Sequence, residues 1–337
     1  ANVLMWNHGD YPKQKDYERC ENTENHGPIL TDPAQTSIIL FPGEGSQYVG
    51  MGARLLHMPV VQQMYDVASE ILGFDLKEAS LQGPYSYLSQ QQVQQPAIFV
   101  ASLAAVEKLR EVRPLEITGC VAAAGYGVGE ITAHTFAATL TFEDAVHLIK
   151  VRAEAMQLAS DMSPGGMLEA HVSAGSRLTL ACTIAKQFCT RQGVQDPECA
   201  VAAYHWPTRK LVSGSLEALL FLEDNMEDFK IRKLERLKFP GAFYSYHMKP
   251  AADAVQEALK HIEISIPNIN VHTNVDSKPY TNVEKIRDNL VKQIYRPVQW
   301  EQIMHHIYQR RQGLAYPKTF ECGPRYNLEK LVKMVNQ

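Results

Sequence analysis

Cys120-Val-Ala-Ala-Ala-Gly-Tyr-Gly-Val-Gly-Glu130 is the stretch from which the rest of the chain can be read. Val121 to Ala124 form a small apolar run of the kind found in strands buried on both faces. Gly125, Gly127 and Gly129 punctuate a sharp turn, and an amphipathic segment follows from Glu130 through Ile131, Phe136 and Ala137. The pattern predicts a buried strand, a turn and a helix. The glycines are spaced like Gly-x-Ser-x-Gly, a strained elbow that lifts a serine above a sheet. Here the middle position is Gly127, so the elbow is predicted without its nucleophile.

A chain of 337 residues buries a large core and accommodates one large domain or two moderate ones. Hydrophobic content of 45% with 21% charged residues is that of an ordinary globular protein. No run approaches the roughly 18 apolar residues of a membrane span. A net charge of −4 gives no general reason to expect nucleic-acid binding, though it leaves room for a local basic face. The six cysteines, Cys20, Cys120, Cys182, Cys189, Cys199 and Cys322, form no metal-binding spacing and read as reduced, buried thiols. No metal or cofactor is expected.

Outward from the elbow, residues 1–35 are polar and irregular, with too few apolar side chains for a core of their own. They read as an arm lying along the main domain, or ordering against a partner through Trp6, Tyr11 and Tyr17. Thr36 to Phe41 is the first core strand, running into the loop Pro42-Gly-Glu-Gly-Ser-Gln47. Helical patterning is predicted over 48–72, over 97–110 with Pro96 in the first turn, over 130–138 and over 141–160. Between 163 and 238 the pattern shortens to strand–helix–strand, twice, which is the ferredoxin-like order. Later elements are helices over 249–261, 283–294 and 300–312, strands over 270–274 and 319–322, and a last helix from Leu328.

Several dispersed stretches resemble malonyl-CoA:acyl carrier protein transacylase, most nearly its mitochondrial form, over residues 36–335. They are Phe41-Pro-Gly-Glu-Gly-Ser-Gln-Tyr-Val-Gly-Met-Gly52, Gln95-Pro-Ala97, the elbow to Glu130, Arg152, Ser213-Gly214, Gly241-Ala-Phe243, Ser245, Met248, Asn274, Pro297-Val298, Trp300 and Glu321-x-Gly323-Pro324. The resemblance implies an α/β fold: a hydrolase-like large domain with a parallel central sheet (36–162 and 239–337) and an inserted ferredoxin-like small domain (163–238). It places the site in the cleft between them. It implies ping-pong transfer of malonyl from coenzyme A, through an elbow serine, to the thiol of acyl carrier protein. That chemistry needs a base, N–H donors for the oxyanion and a guanidinium for the malonyl carboxylate.

The chain departs from the family at three of these points. The nucleophile position is Gly127, the histidine base of Ala-Phe-His-Ser is Tyr244, and the glutamine of the Gly-Gln-Gly-Ser-Gln loop is Glu44. Arg152 remains as the carboxylate clamp, and Gly43, Gly45, Ser46, Gln47, Gln95, Val128 and Asn274 remain around the former pocket. Loss of a serine nucleophile typically removes about six orders of magnitude in turnover. Ser245, His247, His134 and Ser46 are the rescue candidates. Three residues of extended chain reach ~10 Å, too far for His247 to inherit a contact of Tyr244 without remodelling. Glu44 and Arg152 are expected to neutralise each other and plug the pocket, with Tyr244 filling the space left by serine and imidazole.

A basic strip, Lys230, Arg232, Lys233, Arg236 and Lys238, is a candidate partner surface for acyl carrier protein or RNA phosphates, or else a charge-guarded strand edge. The expected role is a non-catalytic subunit of a larger assembly of the mitochondrial matrix: a mitochondrial ribosome, a respiratory complex or an acyl-carrier-protein complex. The alternatives are a sensor that binds acyl-CoA or acyl carrier protein, and an active malonyl or acyl transferase of mitochondrial fatty acid synthesis. Localisation comes from the resemblance alone.

Overall fold

A computed structural model describes residues 33–238, 241–309, 315–325, 328, 331 and 332. The arm expected over 1–35 lies outside these residues except for a single 3-10 turn, Pro33–Gln35. Cys20 and most of the last helix also lie outside them.

The elbow strand β2 (Cys120–Gly125) sits inside a four-stranded parallel sheet of order β7-β2-β1-β8. Its neighbours are β1 (Ser37–Phe41), β7 (Asn270–His272) and β8 (Lys318–Glu321). Every residue of β1 is buried, as suits a largely apolar strand flanked by two parallel neighbours. Around the sheet pack α1 (Pro59–Leu72), α2 (Gln91–Val112), α3 (Val128–Phe136) and α4 (Phe142–Met162). The elbow helix α3 is buried along its whole length. It is therefore a core element, not the amphipathic cover its sequence suggests.

A second sheet, antiparallel and of order β4-β5-β3-β6, contains β3 (Gly165–His171), β4 (Cys199–Trp206), β5 (Arg209–Ser215) and β6 (Lys233–Arg236). With α5 (Leu178–Arg191) after β3 and α6 (Leu216–Asp224) after β5, the order is ferredoxin-like. Its faces belong to two cores. Leu168, Ala170 and Val212 pack with the helices, whereas Met167 and Leu211 pack into the core of the large sheet. Strand alternation makes this possible, because neighbouring residues point to opposite faces. The chain returns through α7 (Lys249–Leu259), α8 (Val283–Lys292) and α9 (Trp300–Tyr308). Val298 bridges back to Ala203 of β4 and ties the two units together.

Two expected helices differ. Residues 48–58 are turns and a short 3-10 segment, because Gly50 (φ 94°) and Gly52 (φ 81°) adopt the left-handed conformation, and the helix begins at Pro59. Pro96 does not open its helix. The glutamine-rich run from Gln91 supplies the first turn, and Gln91, Gln94 and Gln95 are buried. All five described cysteines are free and buried.

The elbow glycines are there for clearance. A Cβ at Gly125 would collide with the Gly129 carbonyl, and one at Gly129 with the Phe41 carbonyl. Gly125→Ala is expected to destabilise the chain by more than about 4 kcal/mol. Gly50→Ala, at a position with open space and only positive φ against it, is expected to lose about 1–2 kcal/mol. Urea unfolding of the two variants separates collision from backbone strain.

Candidate functional site

The turn after β2 brings Gly127 to φ 56° and ψ −118°, a conformation that favours glycine. The Gly127 N–H donates to Asn274 Oδ1 (2.9 Å), while Asn274 Nδ2 donates to the Gly125 carbonyl (2.6 Å). Asn274 thus braces the elbow from the end of β7. The elbow has the geometry that presents a side chain, and hydrogen stands in that place.

Glu44 occupies the space in front of it. Its Oε1 accepts from Arg152 Nη1 at 2.7 Å. Its Oε2 accepts from the Val128 N–H (3.2 Å) and from the Tyr244 hydroxyl (3.3 Å). In an elbow enzyme, the N–H after the nucleophile is an oxyanion donor. One carboxylate therefore holds both the guanidinium and the oxyanion N–H. A Cβ built on Gly127 would lie well inside contact distance of Glu44 Oε2 and the Tyr244 hydroxyl oxygen. The expected Glu44–Arg152 pairing and the filling by Tyr244 are both present.

Arg152, on α4, is fully buried, and its Nη1 also donates to Gln95 Oε1. Gln95 in turn donates to Gln91 Oε1 (2.8 Å). The buried glutamines thus supply a polar wall that a core helix otherwise lacks. Arg152 Nε and Nη2 are buried without a hydrogen-bond partner. The Gly43–Gln47 loop is self-braced: Ser46 Oγ donates to the Gly43 carbonyl (2.8 Å) and Gln47 Oε1 accepts from the Gly45 N–H (2.9 Å).

Tyr244 adopts φ 57°, unusual for a side-chain-bearing residue, and its ring stands edge-on to Tyr126 at 6.2 Å. Burial, reinforced by the Glu44 carboxylate, raises its hydroxyl well above the ordinary tyrosine value, so it is a donor and not a base. The rescue candidates Ser46, Ser245 and His247 are bonded elsewhere. Ser245 donates to the Ala242 carbonyl, His247 Nε2 lies 2.9 Å from the Asp196 carbonyl, and His134 lies tilted against Tyr280 with ring centroids 4.7 Å apart. His134 is wholly buried, and burial lowers its pKa to about 3. Among the described residues no serine hydroxyl is bonded to an imidazole.

Beneath the elbow, Glu130 accepts from the Tyr280 hydroxyl (2.6 Å) and the Asn274 N–H (3.2 Å). Burial raises its pKa to about 8 despite these donors. Glu130 stands in the elbow motif, but its partner Tyr280 lies 150 residues away and is not legible from local spacing.

The basic strip does not form one face. Lys233 pairs with Glu235, while Arg236 turns to the helix-covered side and grips Glu223 of α6 (2.6 and 2.8 Å). Strand periodicity divides them. Lys230, Arg232 and Lys238 are exposed. On the other face, Glu169, His171 and Glu235 bring ligand atoms within 4.8 Å of one another, a grouping invisible in the sequence because it spans two strands. Its carboxylates are already engaged by Arg209 and Lys233. A groove of about 1130 Å³ beside β8, lined by Arg54, Lys108, Leu109 and Phe320 among others, shares no residue with the elbow site.

An elbow on a parallel sheet, a ferredoxin-like unit across from it and an arginine on the following helix define an acyltransferase architecture. The family profile described as "Acyl transferase domain" matches residues 38–315, so the chain belongs to that family. It is 44% identical over 319 residues, 95% of this chain and 84% of the relative, to the probable malonyl-CoA-acyl carrier protein transacylase, mitochondrial, of Drosophila melanogaster. The malonyl-CoA:acyl carrier protein transacylase of Xanthomonas oryzae superposes with a TM-score of 0.80 at 27% identity, covering 90% of this chain and 92% of that one. A malonyl-transacylase solved in complex with a type II polyketide synthase acyl-carrier protein superposes at 0.79 with 29% identity, covering 89% and 93%.

Glu44→Ala strands a buried guanidinium and is expected to lower stability by about 3–5 kcal/mol. Replacing Glu44 and Arg152 together by leucine is expected to lose far less, and a double-mutant cycle in urea measures the difference. Glu130 adds a pH dependence. Its unfolded carboxyl releases its proton near 4.5, whereas the folded one holds it to about 8. Stability is therefore greatest below the unfolded value and falls as pH rises between these two limits. Glu130→Gln is expected to flatten that decline and to raise stability at pH 9 by on the order of a few kcal/mol, read from melting temperature against pH.

Proposed function

We propose that this chain is a mitochondrial member of the malonyl-CoA:acyl carrier protein transacylase lineage that no longer transfers acyl groups and acts as a structural or accessory subunit of a larger assembly. The observation that carries the proposal is the crowding at Gly127, where Glu44 and Tyr244 stand in the space a nucleophile's side chain needs. Acyl transfer requires an attacking atom, a proton acceptor and an empty oxyanion site. At this elbow the first is a hydrogen, the second a phenol and the third a carboxylate. The mitochondrial setting follows the name of the relative, and the matrix is the compartment we assign. Residues 36–162 with 239–337, and 163–238, are the two units through which the assembly is contacted. Acyl carrier protein is the partner class suggested by the complex of the related transacylase.

A second reading has its own support. Arg152 keeps two buried N–H-bearing nitrogens without acceptors, so the guanidinium retains capacity for another anion. On that reading the chain is a sensor that holds an acyl-CoA without turning it over.

Incubation with radiolabelled malonyl-CoA and holo acyl carrier protein is expected to give no transfer above background and no covalent mass increment on the chain. Gly127→Ser alone is expected to remain inactive, because Glu44 and Tyr244 still crowd the hydroxyl. The triple variant Gly127→Ser, Glu44→Gln, Tyr244→His is expected to gain at least about 10³-fold over the unsubstituted chain. Transfer by the unsubstituted chain would overturn the proposal. Calorimetric titration with malonyl-CoA distinguishes the sensor, which binds without turnover, from the subunit, which does not bind.

A further inference from the structure

Where the two units meet, Tyr246, Tyr295, Arg296 and Lys249 form one cluster, with Tyr246 and Arg296 exposed and Tyr295 and Lys249 half-buried. Tyr246 and Tyr295 lie with ring centroids 5.7 Å apart. The Arg296 guanidinium sits over both rings, 5.7 Å from Tyr246 and 5.5 Å from Tyr295. Lys249 Nζ stands 5.5 Å from the Tyr295 ring. Tyr246 is 54% exposed, so one ring face is open to a ligand. Lys249 is shared with Asp253. Arg296, by contrast, forms no ion pair with any carboxylate of the described residues.

The backbone holds this cluster in place. Arg296 follows the last turn of α8, its N–H donating to the Lys292 carbonyl (2.9 Å), and Pro297 and Val298 lead directly into the contact with β4. Val298 donates to the Ala202 carbonyl and accepts from the Tyr204 N–H, both at 2.9 Å. Tyr246 begins a 3-10 turn whose next residue, His247, is tied to the Asp196 carbonyl. The guanidinium is thus pre-positioned by two rings with its hydrogen-bonding edge uncommitted.

Two more aromatic–cation pairs follow on the β4–β5 hairpin. Lys210 Nζ lies 4.5 Å from the Tyr204 ring, and the Arg209 guanidinium 5.1 Å from Trp206. Tyr204 is the residue hydrogen-bonded to Val298, so the hairpin pairs adjoin the platform through the backbone. Arg209 is held by Glu169 at 2.8 Å, so it offers less free charge than Arg296.

We propose that the Tyr246–Tyr295–Arg296–Lys249 platform binds single-stranded RNA, by stacking a base on the exposed tyrosine face and receiving a phosphate on Arg296. Exposed aromatic rings interleaved with cations are what a single strand needs, since every base has a π face and every nucleotide a phosphate. The platform is open, with no enclosing walls, and a free nucleotide would bury little there. A strand gains further phosphate contacts along its length, and the neighbouring hairpin adds charge there rather than stacking, because Trp206 is buried. Acyl carrier protein, a compact acidic partner, would use the charges but leave the exposed ring faces unused. The inference is independent of whether the Gly127 site turns over, so either can fail alone.

The test is fluorescence anisotropy of the full chain with a labelled 16-nucleotide single-stranded RNA of mixed sequence, across a salt series. The expected result is saturable binding that weakens at least about fivefold in Tyr246→Ala and in Arg296→Glu, with melting temperature unchanged. Arg296→Ala is expected to reduce the logarithmic salt slope by about one. Arg191→Glu, a charge change of equal size at an exposed position of α5, is expected to leave binding as it was. Four results would overturn the proposal: no saturable RNA binding, equal loss in Arg191→Glu, equal affinity for a duplex of the same length, or displacement of the RNA from the platform by acyl carrier protein with loss of carrier binding in Tyr246→Ala.

Discussion

A carboxylate and a guanidinium inside a low-dielectric core either neutralise each other or destabilise the fold, and the Glu44–Arg152 contact of 2.7 Å is where this protein meets that constraint. Glu44 hangs from the loop after β1, and Arg152 from the middle of α4. The pair therefore ties the first strand's loop to the helix that leads into the second sheet. Gln95 contributes an acceptor from α2, so three elements converge on one guanidinium. Around it the polar groups are arranged to suit this one contact. The Val128 N–H and the Tyr244 hydroxyl both point at the same carboxylate oxygen.

This arrangement explains why the three departures occur together. With a serine at 127, a carboxylate at 44 would stand against its side chain. With a small residue there, the space would otherwise be a void lined by unpaired donors. Glu44 supplies the missing acceptor and Tyr244 the missing volume. The Tyr244 ring then stands edge-on to Tyr126, which itself lies 5.7 Å from Trp300, so the cleft continues into an aromatic layer. At the bottom of this cleft the guanidinium and the carboxylate satisfy each other's charge.

The second sheet owes its position to the same economy of faces. Residues of β3 and β5 alternate between a small core under α5 and α6 and the large core across the cleft. Polar residues of the cleft side, Glu169 and Arg209, are paired with each other. The join at Val298 adds backbone hydrogen bonds to this packing, and the exposed aromatic–cation cluster at Arg296 sits immediately beside it.

Residue order alone determined the elbow, because glycines at 125 and 129 have one steric purpose each, and it determined the first strand, whose five residues are all apolar or small. It also determined the absence of a side chain at 127 and of an imidazole at 244. Of the helix expected over 48–72, residues 48–58 are not helical because helical periodicity is blind to glycine φ, and α2 starts earlier than expected because a glutamine run looks like a loop until its burial is seen. Tertiary structure decided what no spacing can express: that Glu44 reaches Arg152 across 108 residues, that Glu130 meets Tyr280, and that the basic strip splits between two faces. It also decided that Tyr246 and Tyr295 form one surface. Local rules act within a few residues of each other, whereas a charged side chain's partner is chosen by whichever strand, loop or helix the core brings beside it.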